Sequence, residues 1–225
     1  MTHLELSQKG QDLIKLYEDM AVNGYTRKSG AKVTNVYNDF ELQKFRNVCK
    51  KVLSNDRIKT VLDYGGGGSN WDAPKFDPDS GLSAKEFFGI DSVTTFEPAR
   101  NLMNKVPSDG VVCMDVLEHI YLSDVPNVVE ELFTLAKHLL VVNVACYEAA
   151  ALLPNGENAH ITVRKPHWWK GVMDTIAVKY PEVDVMLICS ETFSSGILFD
   201  TFKAADWQSA DGFVRKEKVL TFGRS

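Results

Sequence analysis

The four cysteines of this chain, at positions 49, 113, 146 and 189, include no C-x-x-C pair. Three lie in apolar runs, so buried reduced thiols are expected rather than a disulfide framework. No metal is assigned from the sequence. No apolar run reaches the ~20 residues needed to cross a bilayer. The opening Met1-Thr2-His3-Leu4-Glu5 lacks the basic-then-apolar order of a secretory leader. These absences predict a cytoplasmic protein with no membrane partner. Positive charge is also scarce. The net charge of −5 argues against wrapping duplex nucleic acid, which needs a broad basic face.

Several nucleotide motifs are missing as well. A dinucleotide fingerprint reads G-x-G-x-x-G. Counting from Gly65 the third glycine position holds Asn70, and from Gly66 it holds Trp71. The Gly-Lys-Ser/Thr ending of a P-loop is absent. So are the [DN]-P-P-[YF] motif of enzymes that methylate exocyclic base amines and the Cys-Pro pair of cytosine C5 enzymes. Repeats and low-complexity tracts are lacking too.

What remains is an ordinary globular composition, 44% hydrophobic and 24% charged over 225 residues. That length suffices for a full core. The expectation is one domain over 1–225, with a helical cap at 1–56 and an α/β core at 57–225.

The most informative stretch is Val61-Leu62-Asp63-Tyr64-Gly65-Gly66-Gly67-Gly68-Ser69. An apolar run ends in an aspartate and becomes four glycines. Glycine adopts positive φ and brings backbone close to a ligand, so this is a nucleotide-site candidate at the end of a buried strand. Phe96-Glu97-Pro98 and Asp109-Gly110-Val111-Val112-Cys113-Met114-Asp115-Val116-Leu117-Glu118-His119-Ile120 sharpen it.

Periodicity places a helix over 6–22, closed by Asn23-Gly24, and a second from Asp39 to about Leu53. The two helices are expected to cap one end of the sheet. Tyr25 to Val36 reads as loop, and so does the proline-bearing segment 70–81. Ser83-Ala84-Lys85-Glu86 is a capping box that opens a short helix. Strands are expected at Thr60–Asp63, Val93–Phe96, Val111–Met114 and Leu139–Val144, and helices at Val125–His138 and Lys170–Lys179. Val183–Cys189 and Ile197–Phe202 read as a late antiparallel pair. The alternation implies a Rossmann-like, mostly parallel α/β sheet with helices on both faces. Ligands on such sheets sit beyond the carboxyl ends of the strands. The glycine loop, Glu97, Asp115 and the segment after Val144 all fall at that edge.

VLDYGGGGS, an acidic residue closing the next strand, and DGVVCMDVLEHI together resemble the class I S-adenosylmethionine-dependent methyltransferases. The chain is similar in particular to methyltransferase-like proteins of tailed bacterial viruses and marine bacteria. The shared features there are Tyr37 to Arg46, Leu62 to Gly65, and Asn158-Ala159-His160-Ile161-Thr162 followed by Trp168-Trp169. The resemblance spans about residues 37–175. It implies S-adenosylmethionine as cofactor. Asp63 would hold the glycine turn or bind the methionine ammonium. Tyr64, Gly65 and Gly67 would bring backbone to the adenosine and carboxylate. Glu97 would accept both ribose hydroxyls, and Met114, Asp115 and Val116 would line the methionine and adenine side. Too little chain lies between Glu97 and Val111 for a helix plus a strand, so the third strand of the pattern is expected to be short or missing.

For the transfer step His160 is the first candidate, because an imidazole of ordinary pKa ~6.5 takes a proton near neutrality. His119, on the turn after Asp115, is the second, with packing beneath the cofactor as the competing role. Cys146 and Tyr147 end the strand that precedes His160. Asn158, Arg164 and Trp168 are candidate substrate contacts, since cations beside aromatics bind phosphate, carboxylate or a base. Tyr25, with Arg27 and Lys28, could form a lid. The reading is a methyltransferase acting on oxygen or nitrogen of a small-molecule, sugar or lipid-linked acceptor. A catalytically inactive cofactor-binding module, a nucleic-acid methyltransferase and another nucleotide-binding α/β protein stay open as alternatives.

Overall fold

Leu62 and Tyr64 pack on one side of their strand and Val61 on the other, and both sides are apolar. Such a strand belongs inside a sheet covered by helices on both faces. The computed structural model, which describes residues 6–34, 41–202 and 217–222, has that architecture. In chain order it contains helix α1 (Gln8–Asn23), strands β1 (Tyr25–Arg27) and β2 (Lys32–Val33), α2 (Glu41–Leu53), β3 (Thr60–Tyr64), α3 (Ala84–Phe88) and β4 (Ser92–Phe96). There follow β5 (Ser108–Met114), α4 (Val125–Leu135), β6 (Ala136–Ala145), β7 (Ala151–Leu152), α5 (Pro166–Ala177), β8 (Asp184–Ser190), β9 (Ser195–Phe202) and β10 (Glu217–Thr221).

The main sheet has the order β10-β9-β8-β6-β5-β3-β4. β4, β3, β5, β6 and β8 pair in parallel, while β9 and β10 add antiparallel strands at one edge. The expected late antiparallel pair is β8 with β9. In their own chain order the parallel strands run 2-1-3-4-5. In that doubly wound arrangement ligands bind where the order reverses, here between β3 and β5. Beyond β4 no further strand of this sheet occurs among the described residues. Glu97 instead bridges to Leu102 around a 3-10 turn at Pro98–Arg100, which accounts for the absent third strand.

Period-two alternation divides the core. Val111, Cys113, Leu140, Val142, Val185 and Leu187 pack toward α4 and α5. Val112, Leu139, Val141, Met186 and Ile188 pack toward α2 and α3. Leu42, Phe45, Cys49 and Leu53 form a fully buried stripe on α2, so this helix covers a sheet face and does not cap the sheet end. Its expected start at Asp39 and the Tyr37–Phe40 part of the resemblance lie outside the described residues.

Helix α1 does lie across the carboxyl end of the sheet, against the Pro98–Arg100 turn. Its first turn is fixed to the core by the buried Asp124. Ser7 N–H donates to Asp124 Oδ1 at 3.0 Å and Ser7 Oγ to Oδ2 at 2.7 Å. A carboxylate at a helix N-terminus is also favoured by the helix dipole.

Three expected boundaries move. Tyr25 to Val36 is not all loop: β1 pairs with β2 and with β7 in a small sheet, Thr26 opposite both Lys32 and Leu152. Helix α4 stops at Leu135 rather than His138, because Ala136 already pairs with Ser108 and opens β6. Helix α5 begins at Pro166 rather than Lys170, since proline fits the first helical position, where no N–H is required. The Ser83 capping box forms as expected, with Ser83 N–H donating to Glu86 Oε2 at 2.8 Å. Cys49, Cys113 and Cys189 are buried free thiols, and burial pushes the Cys49 thiol up to about 12. No helix among the described residues is long and apolar enough to cross a membrane.

Candidate functional site at the carboxyl rim

The glycine loop leaves β3 under tight constraint. Gly65 has φ +74°, and a Cβ there would lie 2.5 Å from Val116 Cγ2. Its N–H donates to Phe96 O at 2.7 Å, which extends the β3–β4 pairing by one bond. A Cβ on Gly66 would collide with the Asp63 carboxylate. Asp63 itself is buried and accepts hydrogen bonds from Ser69 Oγ and, at 2.9 Å, from Trp71 Nε1. Of its two expected roles, Asp63 thus performs the first: it holds the turn. Burial raises its pKa, only partly offset by the Ser69 and Trp71 hydrogen bonds.

Glu97 meets the same loop. Its Oε2 accepts from Gly67 N–H at 2.9 Å and its Oε1 from Ala99 N–H at 3.0 Å. A carboxylate offers about four acceptor positions, so each oxygen retains one. Two acceptors side by side suit a vicinal diol. Tyr64, by contrast, turns its side chain away from the rim. Its hydroxyl donates to Glu131 Oε2 at 2.6 Å on the α4 face, beside Lys105. Only its backbone belongs to the loop. Met114 packs toward the α2 face.

Past β5 the rim changes character. Asp115 has φ +60°, a left-handed conformation in which aspartate and asparagine are over-represented. Its N–H donates to Asn143 O at 3.1 Å. Neighbouring groups crowd it, yet its side chain remains 42% exposed, so it opens to solvent at the rim. Its Oδ2 lies 4.0 Å from His119 Nε2. The rings of His119 and His160 meet edge to face at 4.9 Å. One donor atom from each of Asp115, His119 and His160 lies within 4.8 Å of the others.

Main-chain oxygens orient both imidazoles. His119 Nδ1 is 2.9 Å from Ala159 O and 2.7 Å from Tyr17 Oη. His160 Nδ1 is 2.5 Å from Tyr147 O. A carbonyl only accepts, so each Nδ1 carries the hydrogen and each Nε2 presents a lone pair. Burial, reinforced by the nearby His119, lowers the His160 pKa to about 4 despite Asp115. His160 is therefore neutral at pH 7. Burial opposes ionisation of Asp115 as well, but a second proton on His119, at Nε2, would bring a hydrogen bond and a charge that outweigh it and hold the carboxyl below its usual range.

Glu118 lies beneath them, fully buried. Its Oε1 accepts from Ala145 N–H, while Oε2 receives no donor. Burial, then the charge of Asp115, pushes its pKa well above the ordinary carboxyl range. Glu118 is thus a neutral acid able to donate to Asp115. Thr162 joins the same turn: its N–H donates to Glu118 O at 2.8 Å and its hydroxyl to Ile120 O at 2.7 Å.

The remaining candidates have different surroundings. Asn158 has its amide engaged by backbone, accepting from Ala149 and His160 N–H and donating to Ala149 O at 2.8 Å. It shapes the loop that carries His160. Tyr25 is on β1 and packs with Leu13, Met20 and Leu153. The small sheet is joined to the loop by Lys28 with Glu148, which gives the expected lid a strand framework. Trp168 is half-buried in the first turn of α5, edge to face with the fully buried Trp169, and Arg164 lies 5.7 Å over its ring. Tyr17, Glu118 and Tyr147 O are site groups that the sequence did not single out for these roles. Glu118 had one visible signal, a carboxylate inside an apolar strand-to-turn run.

No protein-family model matches this chain, and no curated protein is similar to it at a significant level. A solved structure described as a decarboxylase from Sulfurospirillum multivorans overlaps it at 12% identity and a TM-score of 0.34. That overlap covers 82% of this chain and 42% of the other, so this chain spans under half of that protein's length.

Proposed function

We propose that this chain is an S-adenosylmethionine-dependent methyltransferase acting on an oxygen or nitrogen of a small-molecule, sugar or lipid-linked acceptor. The observation that carries this reading is the contact between the two halves of a nucleoside site. Gly67 N–H and Glu97 Oε2 are 2.9 Å apart at the rim, next to the point where strand order reverses. Glu97 keeps two free acceptor positions for the ribose hydroxyls. Across the neighbouring ends of β4, β3 and β5, spaced ~4.8 Å apart, the cofactor would run from Glu97 over Gly65–Gly67 toward Asp115. Its sulfonium methyl would then face Asp115, His119 and His160.

Bound there, S-adenosylmethionine would supply the methyl group and leave as S-adenosylhomocysteine, while the acceptor O–H or N–H would give its proton to a group of this chain. His160 would take that proton at its Nε2 lone pair, as a weaker base than the ordinary imidazole expected from the sequence, since burial lowers its pKa to about 4. Holding acceptor and cofactor in line supplies ~7–11 kcal/mol of barrier reduction, and proton removal adds about 10²–10⁴-fold.

Release of S-adenosylhomocysteine across a panel of hydroxyl and amine acceptors tests the reading. His160→Ala is expected to lower turnover by about 10²-fold or more with little change in cofactor affinity. Full turnover in that variant would remove His160 from the chemistry. Absence of any binding of S-adenosylmethionine or S-adenosylhomocysteine would refute the assignment.

A further inference from the structure

We propose that Asp115, His119 and His160 form a binding site for a divalent transition-metal ion of the zinc type. Asp115 and His119 lie four residues apart, across the turn that follows β5, whereas His160 comes from the loop after β7. The fold brings His160 to the other two, and the three donor atoms converge within 4.8 Å. Two imidazoles and one carboxylate match the ligand chemistry of zinc, iron or nickel, and three protein ligands are the number found in catalytic zinc sites.

The orientation of the imidazoles is the second observation. Metal-binding histidines nearly always donate their other ring N–H to a carbonyl or carboxylate. Both histidines do so here, His119 to Ala159 O at 2.9 Å and His160 to Tyr147 O at 2.5 Å. Each Nε2 is left as an unprotonated donor. Behind Asp115 stands Glu118, buried with an Oε2 that has no hydrogen-bond partner. Its other oxygen is fixed by the Ala145 N–H, so it stands as a buried polar group behind the carboxylate ligand, the place of an outer partner of a metal ligand.

The distances define what binding must change. Bonds of ~2.0–2.2 Å bring ligand atoms to roughly 3.0–3.6 Å of one another. The 4.0 Å between Asp115 Oδ2 and His119 Nε2 must therefore shorten. Asp115 is the part able to move, since its side chain is 42% exposed while the imidazoles are tethered at Nδ1. The remaining coordination positions open toward solvent on the Asp115 side. In the methyl-transfer reading, which this proposal deepens but does not require, those positions receive the acceptor atom. The cation would then lower the proton affinity of that atom in place of His160.

The test uses the full-length chain, treated with a chelator and then titrated with Co²⁺ and Zn²⁺. Visible Co²⁺ absorption, calorimetry and melting temperature are the readouts. One ion per chain, a nitrogen-ligated Co²⁺ spectrum and a higher melting temperature with Zn²⁺ are expected. Asp115→Asn keeps a residue that tolerates positive φ while removing the charge. It should weaken Zn²⁺ affinity at least about tenfold, and His160→Ala more. Circular dichroism checks folding, and the Asp115→Asn result stands if His160→Ala fails to fold. No saturable binding, or binding unchanged in a folded Asp115→Asn protein, overturns the proposal. Binding of S-adenosylhomocysteine, followed in parallel, separates the two ideas: its loss with metal binding intact refutes only the methyl-transfer reading.

Discussion

The two halves of the carboxyl rim are built on opposite principles. At the ends of β3 and β4 the polar groups satisfy one another locally: Asp63 takes Ser69 and Trp71, and Glu97 takes Gly67 and Ala99. At the end of β5 the local pair Asp115 and His119 is joined by His160 from a distant loop, with one donor atom of each within 4.8 Å of the others. The first half is a backbone cradle whose shape depends on glycine. The second is a set of acceptors held open by hydrogen bonds behind them. A binding function requires the first and chemistry requires the second, so substitutions in the two halves should differ in kind.

The largest expected effect falls in the cradle. Gly65→Ala must place a Cβ 2.5 Å from Val116 Cγ2 at φ +74°. A left-handed conformation costs about 1–2 kcal/mol and overpacking about 1–3 kcal/mol, so a loss of about 2–5 kcal/mol is expected by denaturant unfolding. A loss under about 1 kcal/mol would mean the loop is soft rather than braced.

In the second half the probe is pH. The folded protein binds the His160 proton near 4, whereas an ordinary histidine binds it near 6.5. Between those values the unfolded chain holds more protons, so stability falls as pH drops from about 6.5 to about 4. The loss is of the order of 3 kcal/mol for this buried group, and it is absent above that window. His160→Gln should flatten that part of the stability profile. An unchanged slope would assign the acid sensitivity to other groups.

The smallest effect is expected at Glu118. Because it is a neutral acid, Glu118→Gln retains both an acceptor for Ala145 N–H and a donor toward Asp115, and should cost less than about 1 kcal/mol. Glu118→Ala strands a buried N–H and should cost about 1–3 kcal/mol. Equal losses in the two variants would show that Glu118 is ionised in the fold.

Much of the fold was legible because it repeats locally. Apolar stretches with both faces hydrophobic marked β3, β5 and β6, Gly24 marked the end of α1, and Ser83 with Glu86 marked α3. The small sheet was not legible: Thr26 pairs with Leu152 from a distant part of the chain, and strands of two or three residues are too short to carry a period. The start of α5 was readable at Pro166 but was placed too late, at Lys170. In the site, His119 and His160 were visible as residues but their relation was not. It arises from carbonyls of Ala159 and Tyr147, whose directions depend on the fold. Asn158 and Tyr64 had side chains of a suitable type, but tertiary hydrogen bonds engage them elsewhere.

Calorimetry of S-adenosylhomocysteine with the wild-type chain and with Glu97→Ala bears most directly on the whole scheme. One saturable site is expected, weakened by about 1–3 kcal/mol in the variant, the scale of hydrogen bonds to a charged group. No heat of binding in the wild type, or equal affinity in both proteins, would contradict the placement of a nucleoside between the glycine loop and Glu97.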